Sequence, residues 1–92
     1  MEQKGKVVKV GIEEVISDKF KKRVVWIVTE GDYPQTLEFQ AAQDKCDLLN
    51  NVNEGDSITI HFNLRGREWT NKEGVVKVFN TLDLWKIDTE DF

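Results

Sequence analysis

"AAQDKCDLLNNV", Ala41 to Val52, is the one stretch of this chain in which apolar residues recur at helical rather than strand spacing. Ala42, Cys46, Leu49 and Val52 lie three or four residues apart, the interval that lines one face of a helix. The following "NNVNEGD" supplies stop signals. On both sides the period falls to two. Upstream, "QTLEFQA" sets Leu37, Phe39 and Ala41 against Thr36, Glu38 and Gln40. Downstream, "SITIHFNL" sets Ile58, Ile60, Phe62 and Leu64 against Thr59, His61, Asn63 and Arg65. Such alternation marks strands with one buried face, so one short helix sits between two strands.

Working outward, "FKKRVVWIVTE" is a β-rich run, basic in its first half and apolar in its second. Before it, "KVVKVGIEEVI" reads as a long first strand, with a bulge or sharp bend at Gly11. "EGDYP" is a turn by composition. "TNKEG" is a hairpin turn in which Gly74 is placed for a positive φ, and "VVKVFNTLDLWKI" is the last strand. The order is strand, strand, strand, short helix, strand, strand. That is the order of an all-β, five-stranded OB-fold, a Greek-key barrel with one short helix between strands 3 and 4. An SH3-like barrel lacks a helix at that point. Residues 1–88 would form the barrel and residues 89–92 an acidic tip.

Ninety-two residues, 39% apolar and 33% charged, suit one small globular domain. A core of that size favours homo-oligomerisation, as a dimer or tetramer. No apolar run approaches the roughly 20 residues that span a bilayer. "MEQKGKVVKV" lacks a signal-peptide pattern, and the single Cys46 suits a reducing compartment, so a cytoplasmic protein is expected. One cysteine and one histidine do not make a four-ligand zinc site. "GREWTNKEG" has neither the spacing nor the following helix of a phosphate loop. His61 stands alone on the polar face of its strand, and Cys46 lies on the apolar face of the helix. The expectation is therefore a non-catalytic protein with no metal and no cofactor.

The net charge of −4 discourages nucleic acid, but the charges segregate. "DKFKKR" (18–23) and "RGR" (65–67) are basic, whereas "GIEEVISD", "NEGD" and "DTEDF" are acidic. Single strands are bound by a cationic groove along the backbone and by flat side chains on which bases stack. Arg65, Arg67 and Trp69 share parity along an extended strand. Lys19, Lys21 and Arg23 share parity on the second strand, with Lys22 opposite. An OB-fold binds with its second and third strands and with the loops joining strands one to two and four to five, where both clusters fall. The phosphate-contacting candidates are Lys19, Lys21, Lys22, Arg23, Arg65, Arg67 and Lys77, and the stacking candidates are Tyr33, Trp69 and Phe79. Trp26, within "VVWIV", and Phe39 read as core, and Trp85 as core or subunit contact.

"HFNLRGREWTNKEGVVKVFNTLDLW" (61–85) resembles the fourth strand, hairpin and fifth strand of bacterial single-stranded DNA-binding proteins. These carry Arg-x-Arg-x-Trp-Thr, a short polar turn with glycine, and an aromatic-bearing strand. "FKKR", "YPQ", "DKCDLL" and "NLRGREWTN" further resemble a family of short proteins of Bacteroidetes and their phages, a likeness running from about Phe20 to Trp85. The resemblance implies a sequence-nonspecific single-stranded DNA-binding OB-fold in replication, recombination or repair, with Arg65, Arg67 and Trp69 in the hairpin pattern. RNA is the alternative nucleic acid. The chain departs from the family where a stacking aromatic precedes the helix, near Ala41, and where a second stacking tryptophan would fall near Pro34 and Gln35, with only Tyr33 close by. "DTEDF" resembles the family's acidic tip closed by phenylalanine, which implies that Asp91 and Phe92 dock replication or repair proteins. The acidic balance and the missing aromatic keep a second reading open, an OB-fold that serves protein association without nucleic acid.

Overall fold

The computed structural model describes residues 1–89; Asp91 and Phe92 of the acidic tip lie outside the described residues. The elements are β1 (Glu2–Val10), β2 (Glu14–Ser17), β3 (Phe20–Thr29), β4 (Thr36–Ala42), a 3₁₀ helix (Gln43–Asn51), β5 (Ser57–Thr70) and β6 (Val76–Thr89). The long first strand anticipated from sequence is broken after Val10 into β1 and β2, both antiparallel to β3. Gly11 marks the break, its N–H donating to Val24 O at 2.8 Å.

The sheet runs β1-β5-β6-β4-β3-β2 and closes because β1 also pairs β3. β4 and β6 are the parallel neighbours, meeting at Gln40 and Asp83; the other pairs are antiparallel. This is the OB-fold barrel, with its first strand in two pieces. Closure needs one strand to be bonded on both edges. Gly5 is where this happens, opposite Thr29 on β3 and Ile58 on β5. A Cβ at Gly5 would lie 2.7 Å from Val28 O and 2.9 Å from Ile27 Cδ1, so glycine is required by the close approach of the next strand.

The alternating apolar residues fill the barrel. Val7, Val25, Ile27, Phe39, Ile58, Ile60, Phe62 and Leu84 are buried together, and Phe39 meets Phe62 edge-on at 5.0 Å and 71°. The helix adds buried Cys46 and Leu49, and Val52 follows as its C-cap. Cys46 and Leu49 are three residues apart, the interval at which side chains align in a 3₁₀ helix. Gln43 enters it at φ 55°. Its side-chain amide holds that conformation by donating to Lys19 O and accepting from Lys21 N–H.

Two core expectations are corrected. Trp26 is 37% exposed on the outer face: its neighbours Val25 and Ile27 point into the barrel, and a strand sends the residue between them outward. Leu64 has core parity but is 55% exposed: β1 no longer covers β5 there, while its partner Leu82 still packs against the core. β5 and β6 are 14 residues each, well beyond the usual 5–6 or so. β1 covers β5 only as far as His61, so the pairs from Arg65–Thr81 to Thr70–Val76 project as a two-stranded arm.

His61 ties the three strands at the arm's root. Its Nε2 lies 2.7 Å from Asp88 Oδ2 on β6, and its Nδ1 3.4 Å from Glu2 Oε2 on β1. Trp85 packs beside its ring at 5.4 Å. The hydrogen bond from His61 holds the Asp88 carboxyl below its ordinary 3.8.

Two outcomes follow from this packing. Gly5→Ala destabilises the barrel by about 1–3 kcal/mol, read from the urea midpoint at unchanged m-value. A depressed folded-state pKa contributes stability above the unfolded value that is lost as pH falls through the folded value. Carbon-detected NMR will therefore show Asp88 titrating below 3.8 in the native chain, and returning toward that value in His61→Ala.

Candidate nucleic-acid interface

Residues directly opposite in an antiparallel pair project to the same side. β5 and β6 pair Arg65 with Thr81, Arg67 with Phe79 and Trp69 with Lys77, and the one register shift lies at His61/Phe62, before the arm. Arg65, Arg67, Trp69, Lys77 and Phe79 therefore share one face, and Gly66 introduces no bulge among them. Trp69 is 51% and Phe79 55% exposed. With Arg67 they line a depression of about 530 Å³. A second one, of about 350 Å³, adjoins it between Arg65, Arg67 and Phe79 on the arm and Gln40 on β4, with Thr81 and Asp83 as wall. Sequence reading missed Gln40, Thr81 and Asp83; the last two have the parity of Phe79, but only the β4–β6 contact brings Gln40 beside them.

The arm holds its shape through local bonding. At its tip, Asn71 Oδ1 accepts from the N–H groups of Glu73 and Val75, at 2.9 and 3.0 Å. Gly74 takes the predicted positive φ, 81°. Arg65 Nε donates to Asp83 Oδ2 at 2.7 Å, which fixes the guanidinium near the arm's root. Arg67 and Lys77 have no ion-pair partner among the described residues. The face thus presents two cations free for an anionic ligand beside two open aromatic rings.

The other basic cluster is taken apart by the fold. Lys19 lies in the β2–β3 turn. Lys21 Nζ pairs with Glu13 at 3.1 Å, and that hydrogen bond raises its pKa above 10.5. Arg23 is a clasp: its Nε donates to Gly11 O at 2.7 Å and its Nη1 to Asn50 Oδ1 at 2.8 Å, joining the β1–β2 link to the helix end. Lys22 alone points to the outer face, opposite Glu14 and Ala42. Tyr33 is 86% exposed in the β3–β4 loop. Ala41 is fully buried, its carbonyl accepting from the Cys46 thiol at 3.4 Å. A stacking aromatic at that place would point into the core, so the outward positions of β4 are Gln40 and Ala42. Burial pushes the Cys46 thiol up from 9.0, which keeps it protonated and unreactive. Among the described residues no His, Cys, Asp or Glu cluster could hold a metal ion, and no helix is long and apolar enough to cross a membrane.

The model of a family described as a domain of unknown function, DUF3127, matches residues 2–88. No curated protein matches the chain by sequence. Among solved structures, the mitochondrial single-stranded DNA-binding protein of S. cerevisiae superposes with a TM-score of 0.74 at 12% identity, covering 97% of this chain and 91% of that one. The single-stranded DNA-binding protein of Plasmodium falciparum, in complex with single-stranded DNA, gives 0.66 at 14%, covering 99% and 93%. A small single-stranded DNA-binding protein of Streptomyces coelicolor gives 0.63 at 10%, covering 98% and 92%. These likenesses are of fold over nearly the whole of each chain.

Proposed function

We propose that this chain, which belongs to the DUF3127 family, is a non-catalytic protein that binds single-stranded DNA without sequence preference. The observation that carries the reading is the convergence of Arg67, Trp69 and Phe79 on one exposed face of the arm. Two bare aromatic rings beside a free guanidinium and the Lys77 ammonium form a surface that water solvates poorly and that unpaired bases and phosphates suit well. A duplex keeps its base faces stacked inside, so a flat aromatic on an open arm selects unpaired strands. That proteins of the same fold are single-stranded DNA-binding proteins, one of them in complex with the strand, supports the reading.

The work of such a protein is to cover strands exposed in replication, recombination or repair. The resemblance to proteins of Bacteroidetes and their phages supports the cytoplasm as its place of work. Asp91 and Phe92 at the acidic end are the docking point for other proteins of that machinery, distinct from the OB unit of residues 1–88. The opposite face of the arm carries Leu64, Val76 and Val78, each more than half exposed. In this reading it meets a second copy of the chain, giving a dimer or tetramer.

Oligo-dT at low salt should quench tryptophan emission, and the logarithm of the affinity should fall with log salt by about 0.7 per phosphate contacted. Absence of any quenching at low salt and high protein concentration overturns the proposal. Trp69→Ala weakens binding by about 1–3 kcal/mol, whereas Asp83→Asn, which releases Arg65 and removes a negative charge, strengthens it. Arg65→Glu combined with Arg67→Glu abolishes DNA binding and leaves the mass in solution, measured by light scattering, unchanged. A drop in mass instead would assign the arginines to a subunit contact.

A further inference from the structure

The arm is one end of a longer surface. Its two depressions share Arg67 and Phe79. The second shares Gln40 and Thr81 with a crevice of about 420 Å³ that reaches Glu38 on β4. Glu38 Oε2 accepts a hydrogen bond of 2.8 Å from Trp26 Nε1 on β3. Trp26 in turn lines, with Lys9 and Lys22, a hollow of about 310 Å³ on the outer face of β1 and β3. That crevice also takes in Leu64, Asn80 and Leu82 from the other face of the arm, and past Glu38 the surface leads from one exposed tryptophan to the other.

Resting on the DNA-binding reading above, we infer that Trp26 is a second base-stacking platform, and that one DNA strand runs to it from the arm across the outer face of β4. The polar edge of the indole is already satisfied by Glu38, so the ring is pinned and offers only its face. Lys9 Nζ stands over that face, 4.7 Å from the ring centroid, where the π-electrons attract a cation. A base arriving there displaces the ammonium along its flexible stem, and the ammonium then meets the phosphate of the same nucleotide. Lys22, on the same outer face, supplies a second cation. Glu38 opposes them: it orients the ring, and its charge repels the incoming backbone.

The test uses the full chain with two labelled oligo-dT probes, one just long enough to cover the arm and one several nucleotides longer, followed by anisotropy at low salt. Trp26→Ala should weaken the long probe about ten-fold and leave the short one unchanged; Trp26→Phe, still flat, should recover most of the loss. Glu38→Gln keeps an acceptor for the indole N–H and removes the charge, so it should strengthen the long probe several-fold, with the gain disappearing at high salt. Native affinity of Trp26→Ala for the long probe overturns the inference, as does equal loss on both probes, which would mark Trp26 as a support of the fold. Failure of the wild-type chain to bind either probe overturns the DNA-binding reading itself.

Discussion

The structure depends on one strand being hydrogen-bonded along both edges. At Gly5 and Lys6 the first strand is paired simultaneously with β3 and β5. Only there does the sheet become a closed barrel rather than an open, twisted ribbon. Closure makes the sheet enclose its apolar face, which lets a chain of this length bury Phe39, Phe62 and Ile60 without a second layer. The price is paid in side-chain volume at Gly5, where Val28 O occupies the space of a Cβ.

Closure also decides where the function can lie. β1 covers β5 only as far as His61, and β4 meets β6 at Gln40 and Asp83. The remaining length of β5 and β6 has no third strand to pack against and must leave the barrel as a ribbon. Isolated ribbons are marginal in water, but this one is anchored by the barrel at its root and by Asn71 at its tip. Its aromatic side chains have no core to enter, so Trp69 and Phe79 stay open.

The charge paradox resolves in the same way. In an acidic chain, two of the four cations in the basic run at 18–23 bond within the molecule. Arg23 clasps the β1–β2 link to the helix, and Lys21 is neutralised by Glu13. Arg67 and Lys77 face solvent on the arm, and Lys22 joins Lys9 around Trp26. A basic sequence run is therefore a poor guide to a basic surface, because a long cation can serve as a hydrogen-bond donor to backbone as readily as to a ligand.

Local patterns were enough to establish the order of elements, the helix between alternating strands, the turn at Gly74 and the shared face of Arg65, Arg67 and Trp69. Each depends on periodicity or turn chemistry within a few residues. The parity of Trp26 was legible too, between Val25 and Ile27, but an apolar run of five conceals alternation that polar neighbours would expose. Only the tertiary structure decided that Arg23 is a clasp, that Ala41 faces inward, and that Gln40 stands beside the arm. Those outcomes depend on contacts between residues far apart in the chain, set by how the barrel closes, and no local spacing encodes them.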